Sequence, residues 1–267
     1  MSVPDEDPER KEMRKSLRSL ERHVTGLKPD HQIAPSEIDR IQLMPLSLDE
    51  GSKDRPVFFT PLDESFLETP DDEYDQKYGM EYDTYDSIPE DCRDPKTCAQ
   101  AINIYWSTYL SRYSLGKQPV GGEIVWSPVR IGYTVYKDLY RYGFPEFGFT
   151  DAEQVKTGPY AHMKATIYNN LNGDDDHLLQ GEMLPILRLM IGHLRRARFI
   201  DHMVAPLMVF SFLGPQHARV IEAYVEDHTV VVRRTKLYDL RSKDAAAFKL
   251  FARWFFGKPG APTGQSQ

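Results

Sequence analysis

An Asp174-Asp175-Asp176-His177 cluster follows Gly173 and is the most metal-like run in the chain. Read as a calcium loop from Asn172, it needs Gly at the sixth position and Glu at the twelfth, where His177 and Met183 stand; counted from Asp174, those positions hold Leu179 and Pro185. Both registers fail. The acids are instead expected to cap a helix start, where free N–H groups and the helix dipole favour them. The histidines His23, His31, His162, His177, His193, His202, His217 and His228 are scattered, with no HExxH and no pair on one helical face. Asp201-His202 and Gln216-His217 sit beside an apolar strand, but a general acid–base pair needs a nucleophile near it. Ser211 lacks the strand-turn-helix elbow with flanking glycines that would expose its hydroxyl. No catalytic residue, metal site or cofactor is assigned. What remains is a basic set, Arg219, Arg233, Arg234 and Lys236 with His217, whose guanidinium forks suit an anion, with His217 or Glu222 available to carry a proton.

These residues lie in the best-defined part of the chain. Leu184, Leu187, Ile191 and Leu194 keep helical spacing and are flanked by Met183, Ile186 and Met190, which predicts a largely buried helix with Pro185 in its first turn or at a kink. Residues 204–213 are apolar on both faces, as in a central strand. The β-branched runs 218–226 and 229–237 flank Asp227-His228, a two-residue hairpin turn. That turn sets Glu222 opposite Arg233, a cross-strand pair worth about 0.2–1 kcal/mol, and makes Glu222 structural. A last helix starts at the N-cap Asp244, turns Ala247, Phe248, Leu250, Phe251, Trp254 and Phe255 inward, and stops at Gly257 and Pro259. The predicted core is therefore α+β: helix, three-stranded antiparallel meander, helix.

Upstream, Thr97 is the expected cap of a helix with Cys98, Ile102, Tyr105 and Tyr109 on one face and Trp106 and Leu110 widening it, ended by Gly116 and Pro119. Residues 123–142 favour short strands, and 160–171 fit helix or strand equally. At the N-terminus Met13, Leu17, Leu20, Val24 and Leu27 form an a/d seam two heptads long, with Arg10, Lys11, Arg14, Lys15, Arg18 and Arg22 on the other faces. Such a helix either packs on its own domain or meets a partner in a short coiled coil. Residues 28–56 are polar and Pro-punctuated, and residues 63–91 carry twelve acids against one lysine, interleaved with Tyr74, Tyr78, Tyr82 and Tyr85. The expected organisation is an amphipathic helix over 1–27, a disordered acidic arm over 28–96, an α+β domain over 97–257 and a disordered tail over 258–267.

At 267 residues, with 40% hydrophobic residues, 27% charged residues and two cysteines, the chain excludes collagen-like, disulfide-framework and fully disordered classes. Cys92 and Cys98, together with a charged N-terminus and no apolar run of spanning length, imply a cytoplasmic or nuclear protein without membrane contact. The net charge of −7 gives no overall attraction to nucleic acid. It divides unevenly, −12 over residues 1–96 and +6 over 177–267. The segregation suggests a non-enzymatic interaction or accessory protein, with a basic domain binding a protein partner and an acidic arm regulating or recruiting. An enzyme for a small anionic substrate is the alternative.

Three stretches, Phe210-Ser211-Phe212-Leu213-Gly214-Pro215-Gln216-His217-Ala218-Arg219, Lys236-Leu237-Tyr238-Asp239-Leu240 and Phe251-Ala252-Arg253-Trp254-Phe255, resemble a C-terminal region shared by a family of filamentous-fungal proteins. This resemblance implies no activity. The element order also resembles the core of PD-(D/E)XK nucleases, whose metal site uses an Asp on one strand and Glu-x-Lys on the next. Here Ala223 and Tyr224 follow Glu222, so that site does not carry over, and kinship implies a degenerate, non-cleaving member.

Overall fold

Residues 207–232 lack the alternation of a half-exposed strand because the sheet they build is covered on both faces. The computed structural model describes residues 6–116, 126–129 and 135–263. Its elements in chain order are α1 (Pro8–Gly26), β1 (Gln32–Ile33), β2 (Ile41–Pro45), β3 (Phe59–Thr60), α2 (Asp72–Tyr78), α3 (Pro95–Gly116), β4 (Trp126–Pro128) and β5 (Phe147–Val155). There follow β6 (Met163–Asn172), β7 (Leu178–Leu179), α4 (Gln180–Leu194), β8 (Leu207–Gly214), β9 (His217–Glu226), β10 (Thr229–Arg234), β11 (Tyr238–Asp239), α5 (Ala245–Phe256) and β12 (Lys258–Pro259). Helices and strands share one α+β fold.

The main sheet has the order β2-β10-β9-β8-β6-β5-β4, with β11 extending the β9 edge. β8, β9 and β10 run antiparallel in succession, and Asp227 and His228 take φ of 44° and 62° in the tight turn that sets Glu222 opposite Arg233. Two further pairings are parallel: β6 with β8, bridged by α4, and β10 with β2 from the N-terminal segment. The three antiparallel strands thus form the middle of an eight-stranded mixed sheet. The region 160–171, equivocal in sequence, is β6. Of the strands expected over 123–142, β4 is present, while residues 117–125 and 130–134 lie outside the described residues.

On one face α1 and α4 pack with Met13, Leu17, Leu20 and Val24 toward Leu184, Leu187 and Met190, so the heptad seam is spent inside the chain. Arg10, expected on an outer face, is buried. Its guanidinium donates to the carbonyls of Leu194, at the end of α4, and of Phe199 and His202 in the turn that follows. On the other face, α3 and α5 enclose an aromatic box in which Trp106 meets Phe210, Phe212, Phe251 and Phe255 at centroid distances of 5.4–6.3 Å. The cap of α3 is Asp94, not Thr97: its carboxylate accepts from the N–H of Lys96 at 3.0 Å and of Thr97 at 3.2 Å, and Pro95 supplies a preset φ at the first helical position.

Residues 28–96 are folded, contrary to the disorder expected of them. Leu46, Leu48, Phe59, Leu62, Leu67 and Tyr74 enter the core beneath α3 and α5. The acids stay outside or find cations of the C-terminal third: Lys243 Nζ lies 2.7 Å from both Asp72 and Asp75, Lys249 lies 3.3 Å from Glu64, and Arg253 pairs with Glu50. The like-charge argument for disorder fails because opposite charges face this segment across the fold. The tail is also ordered as far as residue 263: β12 pairs with β3, and the buried Thr263 accepts from the Ala161 N–H at 2.8 Å and meets His202 Nδ1 at 2.8 Å. Residues 264–267 lie outside the described residues.

His162 is fully buried between Phe58, Phe59 and Tyr160, and burial holds its imidazole down to about 3. A histidine depressed in the folded state contributes stability above its unfolded pKa of about 6.5, and the contribution fades by at most about 1.4 kcal/mol per pH unit below it. Glu153 and Glu222, whose pKa values are raised, act with the opposite sign, so comparison of variants isolates the histidine. His162→Phe suits the aromatic nest and is expected to lessen the loss of Tm between pH 7 and pH 5. An unchanged loss, measured by calorimetry, contradicts the assignment.

Candidate functional site

The five basic-site residues do not converge. Arg219 reaches the α4 side of the sheet, where Glu182 accepts from its Nε at 2.8 Å and from its Nη2. The same carboxylate accepts from Ser211 Oγ at 2.8 Å and from the Leu179 N–H at 2.9 Å, while Arg219 Nη1 donates to the carbonyls of Asp174 and His177. The ion pair is fully buried, and every nitrogen of the fork is engaged within the protein. Arg233 reaches the opposite face, where Glu222 Oε2 lies 3.0 Å from its Nη1 and the Arg55 carbonyl accepts at 2.8 Å. Glu222 also takes the N–H groups of Val57 and Phe58 at 2.8 Å, which fastens the N-terminal segment to β9. Glu222 is structural as expected, but its complete burial puts it above the exposed-pair range, since removing one partner of a buried pair costs about 3–5 kcal/mol.

Arg234 is half-buried beside Arg219, Lys236 is exposed, and His217 lies near Asp239 with its pKa lowered by burial. Neither the cleft between α3 and β5 nor the one beside the Asp227-His228 turn includes any of the five. The acid cluster does not cap a helix, because α4 starts at Gln180 and Glu182 bonds back to the Leu179 N–H; Asp174 instead accepts from the N–H groups of Asp176 and His177 within its own turn and meets His177 Nδ1 at 2.9 Å.

A different constellation lies where α3 crosses β5 and β6. Phe147 and Phe149 of β5 face α4, and strict alternation would turn Asp151 and Glu153 the same way. Instead, the register with β6 shifts between Phe149 and Asp151, and one extra residue, Thr150, throws the strand into the other phase. Ala152 then takes the inward place, while Asp151 and Glu153 stand opposite Thr166 and Lys164 on the α3 side. Ser107, Leu110, Ser111 and Ser114 on the outer half of α3, with Trp106 and Phe255 at the base, complete a cleft of about 400 Å³. That volume is within the ~300–1,000 Å³ of small-molecule sites.

The cleft has an uneven polar lining. Thr166 and Trp106 are 2% and 0% exposed, and neither Thr166 Oγ1 nor Trp106 Nε1 has a hydrogen-bond partner. A buried unpaired polar atom costs about 1–3 kcal/mol, and both of these residues line the cleft. Burial pushes the Glu153 carboxyl up to about 7, with Asp151 adding to the rise and Lys164 opposing it; Asp151 is also raised by burial. Lys164 is fully enclosed. Its ammonium donates to the carbonyls of Phe255 and of Gly257, the latter at 2.9 Å, and lies 3.7 Å from the centre of the Trp126 ring. Burial lowers its pKa, and the Glu153 charge opposes the shift. Lys164 ties the end of α5 to β4 and β6; among the described residues neither carboxylate comes within ion-pair distance of it, and it acts on Glu153 through its charge across the strand pair.

Sequence reasoning missed this site. Its local signal is the apolar spacing Phe147, Phe149, Ala152, a +2 step followed by +3, which marks a bulge in a strand. Comparison with family models, with curated proteins and with solved structures finds no match to this chain.

Proposed function

We propose that the chain is a non-enzymatic binding protein whose ligand is a small molecule held in the cleft between α3 and the β5–β6 hairpin. The observation that carries this reading is the pair of buried unpartnered groups, Thr166 Oγ1 and Trp106 Nε1, on the wall that also presents Asp151 and Glu153. The alternative, an enzyme gripping an anion with Arg219 and Arg233, loses its basis because both guanidinium groups are spent on buried carboxylates. The charge segregation that suggested a recruiting arm is taken up by contacts of that arm with Lys243, just before α5, and with Lys249 on it. An accessory role toward a protein partner remains compatible with this reading, with ligand binding as its regulator. Free Cys92 and Cys98 fit a cytoplasmic or nuclear setting, and among the described residues no helix is long and apolar enough to cross a membrane.

A fragment library screened by ligand-observed NMR against the full chain tests the reading. Hits are expected on the wild type and are expected to vanish in Ser111→Phe, which places a ring in the cleft from an exposed position of α3. Hits that all survive the ring would contradict it.

A further inference from the structure

We infer that the ligand of this cleft is a small organic ammonium ion, its charged head between Asp151 and Glu153 and its carbon body along Leu110, Trp106 and Phe255. This rests on the reading of the cleft as a binding site and adds the class of ligand.

The argument begins from a count of donors and acceptors. Ser111 and Ser114 spend their hydroxyl protons on the carbonyls of Ser107 and Leu110, at 2.7 and 2.9 Å, and so offer only lone pairs. Asp151 and Glu153 add two carboxyl groups, and Thr166 can donate or accept. Trp106 Nε1 is the one obligate donor among these groups. A lining so rich in acceptors selects a ligand rich in N–H or O–H bonds. Charge narrows the choice. Among the described residues neither carboxylate has an ion-pair partner, and the cation opposite Glu153, Lys164, is directed to the backbone carbonyls beyond α5. Two carboxyl groups in phase on one strand therefore face the cleft, with Lys164 as the one cation that acts on them and its N–H bonds directed elsewhere.

The walls separate an organic cation from a bare metal ion. A hard divalent cation takes six or more oxygens, and among the described residues no three acidic, histidine or cysteine side chains come together to hold one. The indole, phenyl and leucine surfaces of the base would contribute nothing to a metal, whereas they remove carbon from water at about 25 cal/mol per Å². The raised pKa of Glu153 gives the inference a pH dependence. The cation binds the ionised carboxylate, so binding releases a proton and affinity rises with pH through about 7. The charged groups facing Glu153 are Asp151 on its own strand and Lys164 on β6. The α3 residues facing the cleft are neutral.

The test uses the full chain at constant ionic strength, with n-butylammonium, 1-butanol, butyrate and magnesium chloride as separate probes, read by the indole N–H signal of Trp106 and the methyl signal of Thr166. The inference expects a saturable shift with n-butylammonium, about fivefold weaker binding at pH 6 than at pH 7, and a loss of tenfold or more in Glu153→Gln. Asp151→Asn provides a second variant at an exposed position, should the first disturb the cleft. Equal binding of 1-butanol and n-butylammonium, unaffected by either variant, overturns the ammonium while leaving a binding cleft. A response to magnesium alone likewise overturns it. If no probe and no library fragment moves either signal, the cleft reading itself falls.

Discussion

A chain shortened to begin at Thr97 is expected not to fold. The removed part supplies at least fifteen buried apolar side chains, from Met13 to Ile88, as well as the edge strand β2 and the helix α1. Each such side chain contributes about 1.5–3 kcal/mol on burial, while a whole domain is stable by only about 5–15 kcal/mol. Loss of β2 also bares the hydrogen-bonding edge of β10, and loss of the 57–58 backbone leaves Glu222 buried with Arg233 as its one partner. The shortened chain should aggregate or show no cooperative melting transition by near-UV circular dichroism. A cooperative transition within a few degrees of the full chain would contradict the picture of an N-terminal segment built into both cores.

The second large effect is expected at the Glu182–Arg219 pair. Arg219→Met alone leaves the Glu182 carboxylate in the interior with only Ser211 and the Leu179 N–H, and a stranded buried charge of this kind costs about 3–5 kcal/mol. Glu182→Leu alone strands the guanidinium similarly. The double variant Glu182→Leu with Arg219→Met replaces both ions by apolar volume and should cost less than either single variant, as buried pairs exchanged together often do. Urea denaturation of the three variants gives the comparison. Additive losses would mean that the two side chains act independently and that the buried pair is not an energetic unit.

The parts of the fold legible in sequence are those where local signals and tertiary demands agree. Asp244 caps α5 through the Ala247 N–H at 2.9 Å, and the aromatic face read from 3.6-residue spacing is the face that covers the sheet. Asp227-His228 could be read as a tight turn without a glycine because short polar side chains tolerate the left-handed region. The arm was not legible. A run of carboxylates carries a disorder signal by itself, and the neutralising Lys243, just before α5, and Lys249, on it, stand more than 150 residues away in sequence. Tyr105 and Tyr109 do advertise hydrogen-bonding tips on an apolar helix face, and these tips take Asp75 Oδ1 and the Glu68 carbonyl. Nothing local names those partners.

The basic residues illustrate the converse difficulty. Arg219, Arg233 and Arg234 lie close in sequence on paired strands, yet the period of two sends Arg219 to the α4 face and Arg233 to the other. Proximity in sequence suggested a cluster, and the pleat dispersed it. At the cleft a single extra residue did the opposite, turning two carboxylates away from the α4 core and toward α3.

That bulge is where the account is most directly exposed to measurement. A crystal structure of the full chain, at a resolution that shows ordered water, is predicted to place Asp151 and Glu153 opposite Thr166 and Lys164 on the α3 side, with water or a bound molecule on Thr166 Oγ1 and Trp106 Nε1. An unbroken β5 register, or a protein acceptor on the Trp106 indole N–H, would contradict the cleft as a binding site.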